Sequence, residues 1–174
     1  MRKLILIFLA IIMVASFSNM AVAQTSATTS ATVTATIIAP ISISKTGTDM
    51  SFGNVIKGAG TIVLAPAGTR SGTAALLPGT QAGTVTAAVF TVSGEGSSTY
   101  AITLPAADYT ITNTTGTGNE TMIVNSFTSN PSGTGTLSSG SQELRVGATL
   151  NVTAGQVSGV YTNSTGFNVT VAYN

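Results

Sequence analysis

The chain is 174 residues long and 43% hydrophobic, and its six Lys and Arg against five Asp and Glu give a net charge of +1. It has no His and no Cys, which excludes an imidazole acid or base, a thiolate nucleophile, disulfides and His/Cys zinc sites. With so few cations and no basic cluster, nucleic-acid binding is excluded too.

The chain starts basic at Met1-Arg2-Lys3 and continues with an unbroken apolar run over residues 4–14. Small residues at Ala21 and Ala23 then flank Val22 ahead of Gln24. This layout predicts a cleaved secretion signal over residues 1–23, because the apolar run is shorter than a bilayer span. Residues 24–174 then suit a single domain with no integral membrane segment. That domain keeps four basic residues against five acidic ones. So little charge opposes association between copies.

From residue 31 to 43 every odd position is apolar: Ala31, Val33, Ala35, Ile37, Ala39, Ile41 and Ile43. Even positions are mostly Thr or Ser. Period two means one face to be buried and one wet. The run would extend about 43 Å, longer than a typical strand. Two strand segments are therefore expected, broken at Pro40, which has no N–H for a central ladder.

Further strands are predicted over residues 60–65, 84–92, 99–104, 121–128, 144–152 and 166–173. The stretch 84–92 carries apolar residues on both faces, with Ala88, Phe90 and Val92 opposite Val85, Ala87 and Val89. Clean alternation nominates Tyr100, Ile102, Leu104, Leu150, Val152, Phe167, Val169 and Val171 as core. Gly, Pro, Ser and Asn clusters separate these runs as turns. Residues 129–141, the longest polar Gly/Ser stretch, are expected to form a mobile loop. No 3.6-residue periodicity emerges beyond the leader, so the expected class is all-β, a sandwich or barrel.

Little chemistry can be built from these residues. Glu95, Asp108, Glu120 and Glu143 are the only candidates for a glycosidase pair, and each falls in or beside a polar loop where solvation is the simpler role. Lys45 and Lys57 sit in no nucleophile motif. The acids are scattered singly, so no calcium loop forms, and no glycine motif cradles a phosphate. No catalytic, cofactor or metal site is expected, and the chain reads as a non-enzyme. Five sequons, at Asn113, Asn119, Asn151, Asn163 and Asn168, are attributed to the abundance of Thr.

Residues 41–55, Ile-Ser-Ile-Ser-Lys-Thr-Gly-Thr-Asp-Met-Ser-Phe-Gly-Asn-Val, resemble the first strand and the aromatic-Gly-Asn/Thr-Val/Ile step of secreted bacterial pilin-like domains. The stretches 147–161 and 167–173 resemble the same group. The pattern is similar to an uncharacterised secreted family of Gram-negative bacteria, itself similar to spore coat protein U-like and archaic chaperone–usher pilins. The resemblance implies an immunoglobulin-like sandwich in which an N-terminal extension of one subunit completes the sheet of the next. It also implies a C-terminal strand of alternating hydrophobics, here Phe167, Val169, Val171 and the penultimate Tyr173, that a periplasmic chaperone and other subunits contact. The chain departs from that group in lacking the disulfide many members carry, and Gly159 matches their C-terminal glycine only approximately.

The expectation is a secreted structural subunit of a surface fimbria or matrix, passing through the periplasm with a chaperone and usher and partnering copies of itself. Val33, Ala35, Ile37 and Ala39 are the candidate donor-strand residues. The same run could equally be the first strand of a closed domain. The alternatives are a monomeric carbohydrate-binding or adhesive module and a small outer-membrane barrel, the last opposed by the Thr-rich outer faces.

Overall fold

The computed structural model describes residues 26–116 and 120–174. The expected leader therefore lies outside the described residues. Two units separate at residue 36, and the folded one spans residues 37–174.

That unit is all-β, and its sheets pack in a sandwich-like arrangement. In chain order the strands are β1 (Ser42–Lys45), β2 (Ser51–Phe52), β3 (Gly60–Leu64), β4 (Arg70–Gly72), β5 (Val85–Thr86), β6 (Ala88–Ser93) and β7 (Thr99–Thr103). They continue as β8 (Tyr109–Asn113), β9 (Thr121–Asn130), β10 (Thr134–Thr136), β11 (Ser141–Val152), β12 (Tyr161–Thr162) and β13 (Thr170–Tyr173). The main sheet runs β1-β6-β11-β9-β8-β12, with β3 and β4 attached through β11. A three-stranded sheet, β10-β7-β13, and the pair β2-β5 complete the set.

β11 organises the domain. Leu144, Val146, Ala148, Leu150 and Val152 alternate along it and all are buried. Its first half pairs β6 and its second half pairs β3, with β9 along the other edge. Gly147 stands at the change of partner, where a Cβ would overlap the Leu64 carbonyl. The core accordingly has two parts. One gathers Ile62, Ala74, Val124, Ala148, Leu150 and Val152. The other gathers Ala88, Val92, Tyr100, Leu137, Leu144 and Val146.

The strands at 60–65, 99–104, 121–128 and 144–152 form where alternation placed them. The two-faced stretch 84–92 is buried on both sides at Ala87, Ala88 and Val89: Ala88 joins the second core cluster, and Val89 lies on the other face against Gly47. Tyr100, Leu150 and Val152 are core residues. Ile102, Leu104, Phe167, Val169 and Val171 pack against the second core cluster but stay half-buried.

Two expectations are overturned. Residues 31–39 form no strand and are exposed throughout. Alternation records that one face wants cover, and no neighbouring strand among the described residues supplies it. Residues 129–141 are no loose loop. They contain β10 and the buried Leu137, and Gly135 lies against the Tyr100 ring.

Candidate functional site

A groove of about 880 Å³ opens between residues 49–57 and residues 157–167. Its floor is the first core cluster, with Met122, Val124, Leu150 and Val152 facing it. Phe167 stands at its edge and packs on Phe127, Tyr109 and Phe90, with centroids 4.9, 6.3 and 6.3 Å away.

Each wall is held from behind. The Arg70 guanidinium donates to the carbonyls of Phe52 (2.6 Å), Asn54 (2.7 Å) and Leu77 (3.0 Å). A cation with three carbonyls reinforces a segment otherwise held by the two-residue strand β2, the Val55–Leu76 bridge and single backbone bonds from Asn54 and Ile56. On the other side, buried Asn113 accepts from the N–H groups of Thr115 and Gly116. Buried Gln156 donates to the Thr121 carbonyl at 3.2 Å and to the Tyr161 hydroxyl at 2.8 Å. The Val160 backbone is held through Thr114 and Thr115. Sequence reasoning missed Asn113 and Gln156. The sequon at Asn113 looked incidental, and burial of a hydrogen-bonded amide leaves no periodic trace.

This scaffolding presents apolar groups to water. The exposed large hydrophobic residues among those described are Val33, Ile37, Ile38, Ile56, Val63, Val157 and Val160. Ile56, Val157 and Val160 line the groove. Val33, Ile37 and Ile38 belong to the unpaired N-terminal segment, with Val33 95% and Ile37 97% exposed. β2 and β12 border this opening: β2 pairs with β5, and β12, last in the main sheet, pairs with β8 on one edge and with no strand on the other among the described residues.

The candidate donor residues Val33, Ala35, Ile37 and Ala39 are therefore exposed and outside any sheet. Phe167, Val169, Val171 and Tyr173 share the inward face of the last segment, as alternation required, yet remain half-buried. The Tyr109 hydroxyl beneath the groove is buried and has no hydrogen-bond partner among the described residues. Burial pushes its pKa up, and the nearby Gly166 backbone offsets this in part.

The groove and the root of the N-terminal segment at Ala39 occupy opposite ends of β11. Ser42 pairs Ser93, and Ser93 pairs Ser141 at the first residue of β11. Val152, its last residue, is in the groove floor. Twelve residues of strand separate the two ends by about 36 Å. Ala39 sits at the Ser141 end, bonded to Glu95 and Tyr173.

The four acids do not come together as a catalytic pair by any bond they make. Glu95 accepts from Ala39, Asp108 from Asn125, and Glu143 pairs with Arg145 at 2.8 Å. Glu120 keeps one buried oxygen without a partner among the described residues. No group of three metal-ligating side chains occurs among those residues.

Residues 41–173 match the sequence profile of a family described as a domain of unknown function, DUF4402. No curated protein and no solved structure matches the chain.

Proposed function

The chain belongs to the DUF4402 family, and from that footing we propose that it is a non-enzymatic structural subunit assembling with copies of itself. Each copy lends residues 31–39 to the groove of the next. Val33, Ala35 and Ile37 recur every about 6.6 Å along one face of an extended chain. Their modest size suits a narrow slot between two walls, and the segment 26–38 is uncharged.

The observation that carries this reading is the unpaired, exposed segment itself. An alternating strand with no sheet and an apolar groove with an unpaired strand edge beside it are complementary deficits. One added strand relieves both, by burial and by main-chain hydrogen bonds. Root and groove at opposite ends make the contact head-to-tail, and such contacts propagate into filaments unless the rotation closes a ring. The setting we propose is export through the periplasm, with a chaperone covering the groove and an usher in transit, ending in a surface fimbria or matrix. A monomeric sugar-binding module has less support, because Tyr109, Phe127 and Phe167 pack against one another and onto the core rather than forming an open platform.

Ile37→Asp tests the reading. It would bury an unpaired charge at each junction, costing several kcal/mol. The expected result is loss of multimers with an unchanged monomer melting temperature. Unfolding of the monomer by the same change would mean that the segment closes its own domain. A wild-type protein that stays monomeric at high concentration without any chaperone would overturn the proposal.

A further inference from the structure

Ala39 fastens the exposed segment to the folded unit, and it does so through both sheets. Its N–H donates to Glu95 Oε2 at 3.0 Å, in the turn that follows β6 of the main sheet. Its carbonyl accepts from the Tyr173 hydroxyl at 2.9 Å, at the end of β13 in the three-stranded sheet. The Glu95 N–H donates to that same hydroxyl at 2.6 Å. Three residues far apart in sequence thus close one polar knot. Gly94 makes room for it, since a Cβ there would overlap the Tyr173 hydroxyl.

The chain then enters β1, and from Ser42 to Asp49 it is bonded in series to β6 and the residues just before it. Ser42 to Lys45 pair with Ser93 to Phe90. Further on, Gly47 N–H donates to the Val89 carbonyl at 3.2 Å and Val89 N–H to the Thr48 carbonyl at 3.1 Å. The Thr48 hydroxyl donates to the Ala87 carbonyl at 2.8 Å, and the Thr86 hydroxyl to the Asp49 carbonyl at 2.7 Å. The stretch runs away from Ser93 toward the groove end. The bonds of an antiparallel pair lie across its strands. A pull along β1 therefore strains the whole series together, whereas a pull from the side breaks it one rung at a time, starting at Ser42.

Head-to-tail copies hold each chain at two places, the root and the groove, so tension between copies enters the domain through Ala39. The knot decides the angle at which it enters. Glu95 holds Ala39 from the β6 side and Tyr173 from the β13 side, and Pro40 biases Ala39 toward an extended backbone. We infer that Ala39, Glu95 and Tyr173 form a mechanical anchor that keeps the root in line with β1, so that tension between copies shears β1 along β6 instead of peeling it away. The inference rests on the assembly reading above and adds how an assembled chain withstands being pulled. Glu95 and Tyr173 act here as positioning residues.

Single-molecule force spectroscopy on the exported chain tests the anchor. The chain has no Cys, so two introduced ones serve as clean handles. Val33→Cys with Ala154→Cys, both at exposed positions, pulls between the root segment and the groove end of β11, through the knot. Ser42→Cys with Ala154→Cys pulls on β1 directly and bypasses the knot. Each handle pair is measured at matched constant force with the anchor intact and with Tyr173→Phe. Glu95→Ala is the second anchor variant should Tyr173→Phe fail to fold. Through the root, the anchor variants are expected to unfold about five- to tenfold faster, the scale of a lost hydrogen bond. Through Ser42, their rates should match that of the intact anchor. Unchanged rates through the root, or equal acceleration by both routes, as a general loss of stability would give, overturn the anchor and leave assembly standing. Size exclusion of the wild type without handles tests assembly separately. A protein that stays monomeric at high concentration without any chaperone overturns the assembly reading and the anchor together.

Discussion

The phenol of Tyr100 lies against the backbone of Gly135, so close that a methyl group there would overlap the ring carbon and its hydroxyl. The hydroxyl donates to Gln142 Oε1 at 2.7 Å, and the same oxygen accepts the Thr136 N–H at 2.9 Å. One buried ring thereby ties β7, β10 and β11 together. Gly135→Ala is expected to lower stability by about 1–3 kcal/mol through overpacking. Chemical denaturation midpoints will measure it, and a neutral substitution would show that β10 moves freely.

Burial raises the pKa of the Tyr100 phenol above its ordinary value of 10.0. The folded state therefore favours the neutral form, and the unfolded chain loses its proton first. Stability from this group is complete below about pH 10 and is lost as pH climbs through the raised value. Melting temperatures measured from about pH 8 upward should fall above about pH 10. Tyr100→Phe should flatten that alkaline fall while lowering stability at neutral pH through the lost bond to Gln142.

Arg70 donates to three backbone carbonyls and has no carboxylate partner among the described residues. Arg70→Met should cost about 2 kcal/mol, since hydrogen bonds to a charged donor exceed ordinary ones. Amide hydrogen exchange should speed up locally around residues 52–57. Exchange unchanged there would mean that β2 holds this wall without the guanidinium.

Val160 is 58% exposed on the groove rim. Val160→Asp should leave the monomer's unfolding free energy within about 0.5 kcal/mol of wild type, as for other exposed sites. On the assembly proposal it should nevertheless reduce multimers. Mixing it with the Ile37→Asp variant, whose rim is intact, should restore only pairs, because each chain then retains one of the two surfaces. Longer assemblies in that mixture would contradict the head-to-tail arrangement.

Intact-mass measurement of the exported protein should give a chain beginning at Gln24, as the small residues Ala21 and Ala23 imply. Retention of residues 1–23 would refute the cleaved leader.

Period two was enough to identify β3, β7, β9 and β11 and an all-β class, because alternation is a local consequence of one face meeting a core. The inward set Phe167, Val169, Val171 and Tyr173 was legible for the same reason. β4, β8 and β10 were not, since Arg70-Ser71-Gly72 and Thr134-Gly135-Thr136 are ordered by backbone bonds to β3 and β7 and carry little apolar pattern of their own, and β8 offers only Tyr109 and Ile111, too few to set a period. The groove was not legible either. It depends on Arg70, Asn113 and Gln156 meeting carbonyls and amides that folding alone brings near. Above all, alternation over residues 31–39 showed that a face needs burying without naming the surface that buries it. That is a property of which strands lie beside which, and the tertiary structure leaves these residues exposed, with the segment's root at one end of β11 and the groove at the other.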